Sequence, residues 1–165
     1  MDPKQFTIKI TQMTVNLKKA IDDDLPKILG NKAASMFRQN FQDEGFFGTK
    51  WKEVKRRQPM TVTVTLKSGK KKKKQLPCAK GADGKRKILT GRTGNLGRSI
   101  QYKVSKAQVT IYSDTKYGKA HNIGDMTGRG HKVKMPKRQF IGDHPKLHAE
   151  LEKLTTQYIN KIIGK

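Results

Sequence analysis

The chain has little cysteine, few acidic residues and no long apolar run, and each shortage excludes a class of protein. A single cysteine, Cys78, excludes an internal disulfide framework and a thiolate metal site. No run of about 18 apolar residues occurs, and the first residues lack the apolar core of a signal peptide. We therefore expect a soluble protein made for a cytoplasm, and the sequence suggests no cofactor.

Acidic residues are outnumbered, with 13 Asp and Glu against 37 Lys and Arg, for a formal net charge of +24. The lysine run at 70–74 supplies only five of these charges, so the basicity extends along the chain. Such a protein is expected to bind polyanions, and nucleic acid is the first candidate. An anionic membrane surface is disfavoured, because no segment joins a basic face to the Trp, Phe and Leu face that interfacial anchoring requires.

Two segments have the apolar period of amphipathic helices. The first is predicted to begin after the acidic cluster at 22–24 and to end near Asp43, with a shorter helical turn before it at about 17–21. The second begins at Pro145, carries a leucine-rich stripe and ends before Gly164.

Alternating apolar residues predict strands in two places. Residues 60–66 alternate valine and threonine, and residues 100–111 have the pattern of a hairpin. Residues 67–92 carry eleven Lys and Arg against one acid, Asp83, and predict a mobile basic loop.

These elements predict an α+β fold. It consists of a small antiparallel sheet on which a long helix of the N-terminal half and a C-terminal helix pack, plus extended basic loops. We expect one domain over residues 1–165, with a basic loop or hairpin arm at about 60–87 and a second basic loop at about 124–138.

Candidate catalytic and metal-binding groups are weakly supported. His144 and His148 could share one helix face, but a structural zinc site needs about four ligands, and surface or capping histidines are the preferred interpretation. Ser99 and His121 could pair as nucleophile and base, yet no elbow or oxyanion motif accompanies them. We therefore predict no catalytic or metal-binding residues and no enzyme activity.

The glycine-rich stretch "KILTGRTGNLGRSI", residues 87–100, suggests a phosphate-binding loop at first sight. A P-loop in this register requires glycine where Arg92 stands. We interpret the stretch as a structural corner, in which Thr93 caps a short turn while Leu96 and Ile100 pack into the sheet.

Four short segments, taken in order, carry a family resemblance. They are "NFQDEGFFGTKWKEVKRR", "ILTGRTGNLGRSI", "VTIYSDTKYGKAHNIG" and "MPKRQFIG". Their succession over roughly residues 20–163 resembles the phage virion morphogenesis family, the Mu-like tail-completion proteins of tailed bacteriophages and prophages. The residues at the motif positions are Trp51, Leu89, Thr93, Gly94, Leu96, Ser99, Ile100, Tyr117, His121, Asn122, Gly124, Pro136, Arg138, Phe140, Ile141 and Gly142.

This sequence departs from the family pattern at three places. Gly118 stands where alanine is common, Gln139 stands where proline is common, and the basic insertion at 67–87 is unusually long and charged.

The resemblance implies a non-enzymatic structural protein of phage assembly, acting in tail completion or head–tail joining. It places the protein in the virion neck or tail end, and in the host bacterial cytoplasm during assembly. Related joining proteins form rings, often hexameric, so self-association and contacts with other head, neck or tail proteins are implied.

Two partners suit the basic loops: DNA bound without sequence preference, or an acidic protein neighbour. A free sequence-nonspecific nucleic-acid-binding protein is the alternative function, and a hydrolase is third. The residues expected to contact DNA or a partner are Lys70, Lys71, Lys72, Lys73, Lys74, Arg86, Lys87, Arg92, Arg98, Arg129, Lys132 and Lys134.

Overall fold

The structure is a computed structural model that describes residues 2–76, 82–131 and 133–164. Cys78 and Lys132 lie outside the described residues. In the described ranges the α-helices are α1 (Pro3–Lys19), α2 (Leu25–Asp43), α3 (Ala82–Lys85), α4 (Asn95–Arg98), α5 (Gly118–Ile123) and α6 (Pro145–Ile163).

The described strands pair as antiparallel two-stranded units. The pairs are β1 (Gly45–Phe46) with β2 (Thr49–Lys50), β3 (Met60–Thr65) with β4 (Lys71–Leu76), β5 (Ile100–Ser105) with β6 (Gln108–Ser113), and β7 (Met126–Thr127) with β8 (Val133–Lys134). The predicted α+β class is confirmed, and its strands form separate hairpins.

The acidic cluster before the long helix has a different structural role from the predicted one. The acidic cluster lies in a π-helical turn, Ala20–Asp24, that joins α1 directly to α2. Pro26 has no N–H, so it cannot donate to the carbonyl of Asp22, four residues earlier, and the π-helical turn accommodates it. The Asp22 carbonyl accepts a hydrogen bond from Ala107 N at 3.3 Å instead. The acidic residues therefore join two helices and do not begin one.

Helix α1 is longer than the short turn that the sequence predicted. Its threonines hydrogen-bond back into the helix: Thr7 Oγ1 donates to Pro3 O, Thr11 Oγ1 to Thr7 O and Thr14 Oγ1 to Ile10 O, at 2.9–3.0 Å. These bonds satisfy the hydroxyls within the helix. None of its residues is buried, so α1 adds no buried side chain to the core.

Helix α2 is the centre of the fold. It begins at Leu25 and ends at Asp43, as predicted, and Glu44 in the left-handed conformation closes it. The β5–β6 hairpin packs on α2, and Arg38 Nη2 donates to Ile100 O at 2.6 Å across this contact. Helix α6 packs mainly on α2 and α1, and it holds α2 through the Lys32–Glu150 ion pair at 3.0 Å.

The core is concentrated at the C-terminal half of α2. Phe41 packs edge-on against Trp51 at 5.5 Å between ring centroids, and tilted against Phe140 at 5.2 Å. The other buried members of this cluster are Ala33, Ala34, Phe37, Ile88, Leu96, Ile100 and Leu147. Burial of these groups supplies the main stabilisation of a chain whose mean hydropathy is only −0.80. No helix in the described part of the chain is long and apolar enough to cross a membrane.

Gly30 sets how closely α2 approaches the hairpin. A Cβ at this position would lie 2.5 Å from Tyr102 Cδ2 and 2.8 Å from Val109 Cγ2. Gly30→Ala should therefore lower the free energy of unfolding by about 1–3 kcal/mol, although alanine favours the helix by roughly 1 kcal/mol.

Urea denaturation of Gly30→Ala and of a matched variant, Gly97→Ala, measures this effect. Gly97 is also helical, but its added Cβ would lie 3.4 Å from Phe41, an ordinary contact. Equal stability of wild type and Gly30→Ala would show that the hairpin yields without strain.

Candidate functional site

A prominent exposed cationic feature is a two-stranded ribbon formed by β3 and β4. Thr63 lies opposite Lys73 and Val64 opposite Lys72, in a register that extends from Thr65↔Lys71 to Met60↔Leu76. The prediction of a mobile loop for residues 67–92 is thus wrong for 71–76, which form a strand. A turn at 67–69, with Gly69 at φ 76°, fixes this register and pairs the lysine run with the valine–threonine strand.

The ribbon projects from the domain. From Thr63 to Gln75 every side chain is exposed, and six residues per strand give a length of about 20 Å. Side chains alternate across the ribbon, so Lys72 and Lys74 share a face with Val62 and Val64, while Lys71 and Lys73 share the face of the threonines. Both faces of the arm are therefore cationic.

A second basic segment follows α5. The short β7–β8 pair and a 3₁₀ turn, Arg129–His131, occupy the region that the sequence predicted as a basic loop at 124–138. Arg129 and Lys134 are exposed there, as is Arg92 in the turn before α4. These three predicted contact residues stay available to an external partner.

Other predicted contact residues are engaged within the domain. Lys87 Nζ donates to the carbonyl and the side-chain oxygen of Gln42, each at 2.9 Å, and Arg98 Nη2 donates to Thr93 O. The Arg86 carbonyl accepts from Arg56 and Arg57 at 2.7–2.8 Å. The described members of the predicted contact set are thus mainly exposed side chains of the ribbon, whereas Lys87 and Arg98, though exposed, also brace loops.

Asn122 is the centre of the motif residues near the C-terminal helix. Its Oδ1 accepts from the backbone N–H groups of Phe140 and Ile141 at 2.8 and 3.0 Å, and its Nδ2 donates to Ile141 O at 3.0 Å. Arg138 N donates to His121 O at 2.8 Å. These bonds hold the segment before α6 against α5.

Arg138 and Trp51 continue this network. Arg138 is buried, and its Nε and Nη2 donate to Lys52 O at 3.0 and 2.9 Å, while Trp51 Nε1 donates to Gln139 O at 2.7 Å. Both side chains thus join the segment after β2 to the segment before α6.

The motif residues of the corner at 88–100 surround α4. Leu96 and Ile100 are buried, as predicted, and Ser99 Oγ donates to Leu96 O at 2.7 Å. The predicted Thr93 cap is wrong. Gly94, at φ 65°, occupies the cap position without a side-chain bond, because the left-handed conformation there suits glycine.

The remaining motif residues border these groups. Tyr117 Oη accepts from Asn95 Nδ2 at 3.2 Å, and Gly124 closes α5 in the left-handed conformation. Leu89 is half-buried against the core, Pro136 is half-buried beside Arg138, and Gly142 follows the buried Phe140.

A carboxylate–arginine cluster beside α2, formed by Glu44 and Arg57, was not predicted from the sequence. Glu44 accepts from Arg57 Nη2 at 2.7 Å, from Arg57 Nη1 at 3.1 Å and from Ile88 N at 2.6 Å. The bond from Arg57, helped by that from Ile88, lowers the pKa of Glu44 below its ordinary value of 4.5 despite partial burial. In the sequence, the "KRR" run at 55–57 looks like any other exposed basic segment, so nothing indicated that Arg57 pairs with Glu44.

Glu44→Gln should lower the free energy of unfolding by about 1–2 kcal/mol near neutral pH, because it removes a charge-assisted pair. A carboxyl group whose pKa is lower in the folded state stabilises the fold at pH values above its unfolded pKa of 4.5. This stabilisation is lost as the pH falls through the folded pKa. Urea denaturation at about pH 7 and pH 3 should therefore show a larger deficit at the higher pH. Glu152→Gln, at an exposed site on α6, is the control, and a deficit independent of pH would contradict the assignment.

The candidate catalytic and metal groups are used otherwise. Ser99 Oγ shares a 2.7 Å hydrogen bond with Ser113 Oγ, and no partner of His121 Nδ1 occurs among the described residues. His144 caps α6 by accepting from Lys146 N at 3.1 Å, and His148 pairs with Asp143. Within 2–76, 82–131 and 133–164, no three His, Cys, Asp or Glu side chains form a group that could hold a metal ion.

The fold and its polar groups define a small α+β domain whose interior hydrogen bonds tie loops to the core and whose projecting ribbon is cationic. A sequence model of the phage virion morphogenesis family matches residues 18–160, so the match begins in the last turn of α1. The chain belongs to the phage virion morphogenesis family, which confirms the resemblance that the four sequence segments predicted. No curated protein and no solved structure matches the chain significantly.

Proposed function

We propose that the protein is a non-enzymatic structural component that completes the tail or joins it to the head, in the neck or tail end of the virion. Family membership supports a role in phage assembly, association with the virion and contacts with other virion proteins. The observation that carries the proposal is the use of family-motif residues as braces. Asn122, Arg138 and Trp51 all donate or accept bonds that hold loops on the core.

The ribbon gives this component a surface for DNA. Lysines 70–74 lie on an exposed arm, and a two-stranded ribbon fits the major groove of a duplex. Contacts from lysine to phosphate tolerate any sequence, which suits a protein beside a packaged genome. We expect the ribbon to contact DNA without sequence preference.

Self-association, as a ring, is the form we expect for the assembled component. On helix α1, the side chains of Phe6 and Ile10 are 56% and 46% exposed. Together with the half-buried Met13 and Leu17 they form one apolar stripe along the helix. This spacing is typical of a helix that packs against another helix. We assign this stripe to a second copy of the chain.

A free nucleic-acid-binding protein is the second candidate, favoured by the net charge of +24 and by the same ribbon. Size-exclusion chromatography with light scattering, without DNA, separates the two functions. We expect a discrete oligomer of the 18.7 kDa chain, dissociated by Phe6→Ser with Ile10→Ser. Val64→Ser with Leu66→Ser, exposed on the ribbon, is the matched control. A monomer that binds DNA tightly would favour the second candidate.

A further inference from the structure

A cleft of about 420 Å³ lies between the corner at 88–96 and the segment before α6. Its polar lining includes Arg56, Arg138, His121, Tyr117, Asn95 and Thr90. The exposed lysines of the ribbon are not part of it. The cleft is therefore a second cationic feature, distinct from the arm.

The charge of Arg138 is poorly balanced inside the domain. The side chain is only 6% exposed, and two of its five N–H groups donate to one acceptor, Lys52 O. Burial, helped by the charge of Arg56, lowers the pKa of Arg138, and Glu53 offsets this only in part. Glu53 forms its ion pair with Arg57, and no carboxylate in the described part of the chain forms an ion pair or hydrogen bond with Arg138. A buried cation without a directly bonded carboxylate is costly, so the site favours an anion that enters from outside.

His121 adds an unused polar atom to the same cleft. Its Nδ1 is buried and has no hydrogen-bond partner among the described residues. Burial, helped by the charge of Arg138, lowers the pKa of His121, so its ring is neutral near pH 7 and can donate one hydrogen bond without adding charge. An unpaired buried polar group of this kind is uncommon in a folded protein.

The geometry points to a carboxylate-binding cleft, in which Arg138 and Arg56 receive an acidic side chain of a partner protein beside His121. A carboxylate matches the planar fork of an arginine, and it reaches a recessed site on a flexible side chain. The phosphates of a duplex lie along the outside of a wide helix and cannot enter such a cleft. An acidic segment of a virion partner would supply this group if the proposed assembly role is right, whereas binding of a free acidic peptide does not depend on that role.

An NMR titration of the histidine ring signals in the full chain tests the cleft. An N-acetylated triglutamate peptide should shift the His121 signal saturably and leave His144 and His148 unchanged, and a triglutamine peptide should shift none of them. Arg138→Gln should weaken triglutamate binding at least tenfold, whereas Arg129→Gln, at an exposed arginine outside the cleft, should change it less than twofold.

If Arg138→Gln fails to fold, Arg56→Gln replaces it and should likewise weaken triglutamate binding at least tenfold. The inference is overturned if triglutamate leaves His121 unshifted, if triglutamine acts equally, or if Arg129→Gln weakens binding as much as the cleft variants. Tighter binding of inorganic phosphate than of triglutamate at His121 would likewise overturn the assignment to a carboxylate.

Discussion

Replacing lysines 70–74 with glutamine should weaken binding to duplex DNA at least a hundredfold at about 0.1 M salt. Each lysine that contacts a phosphate contributes about 0.9 to the slope of log affinity against log salt, so loss of all five contacts would reduce the slope by about 4.5. Filter binding or fluorescence anisotropy from about 50 to 200 mM salt measures both quantities. The fold should be unaffected, because these side chains are exposed.

A variant with five other lysines replaced by glutamine separates the ribbon from overall charge. These lysines are exposed on α1 and α6 and are Lys4, Lys9, Lys18, Lys153 and Lys161. Both variants lose the same formal charge, but the control should keep most of its affinity and salt slope. Equal weakening of the two variants would show that net charge, and not the ribbon, binds DNA.

Two double variants then identify the contacting face of the ribbon. Lys71→Gln with Lys73→Gln removes charge from the threonine face, whereas Lys72→Gln with Lys74→Gln removes it from the valine face. Threonine hydroxyls can donate to phosphate oxygens and valines cannot, so the first pair should weaken binding more. A larger loss from the second pair would place the valine face on the duplex.

Asn122→Ala should lower the free energy of unfolding by about 2–4 kcal/mol. The change removes three hydrogen bonds and leaves the N–H groups of Phe140 and Ile141, and the Ile141 carbonyl, without these partners. Each such loss costs roughly 1 kcal/mol, or more where the group stays buried. Urea denaturation followed by tryptophan fluorescence suits the measurement, since Trp51 bonds to the adjacent Gln139.

Asn31→Ala is the matched control for this prediction. Asn31 is exposed on α2, where alanine is at least as favourable to the helix. The free energy of unfolding of Asn31→Ala should stay within about 0.5 kcal/mol of that of the wild type. A loss of less than about 0.5 kcal/mol in Asn122→Ala would contradict the role of Asn122 as the brace of the segment before α6.

Elements with a repeating apolar pattern were predictable. Helices α2 and α6 and the β5–β6 hairpin bury one face, and their bounds follow from the spacing of those apolar residues. At the candidate site, burial of Leu96 and Ile100 was predictable from their spacing, whereas the cap of α4 at Gly94 was not.

Elements that bury no apolar face were harder to predict. Most of helix α1 was missed because it buries no residue. Strand β4 is a lysine run without alternating apolar residues to indicate a strand, so the sequence left a loop and a hairpin arm open there. Charged residues were the least predictable, because Lys87 and Arg57 look like solvated charges in the sequence. Their partners, Gln42 and Glu44, lie far along the chain or across a loop.

Electron microscopy of the particles made when the coding sequence is deleted from the phage genome that carries it tests the proposed assembly role most directly. We expect filled heads and separate tails to accumulate, few joined particles, and recovery of joining when the wild-type protein is supplied from a plasmid. A plasmid carrying Phe6→Ser with Ile10→Ser should fail to restore joining. Normal yields of joined, infectious particles without the protein would contradict the proposed role in joining heads to tails.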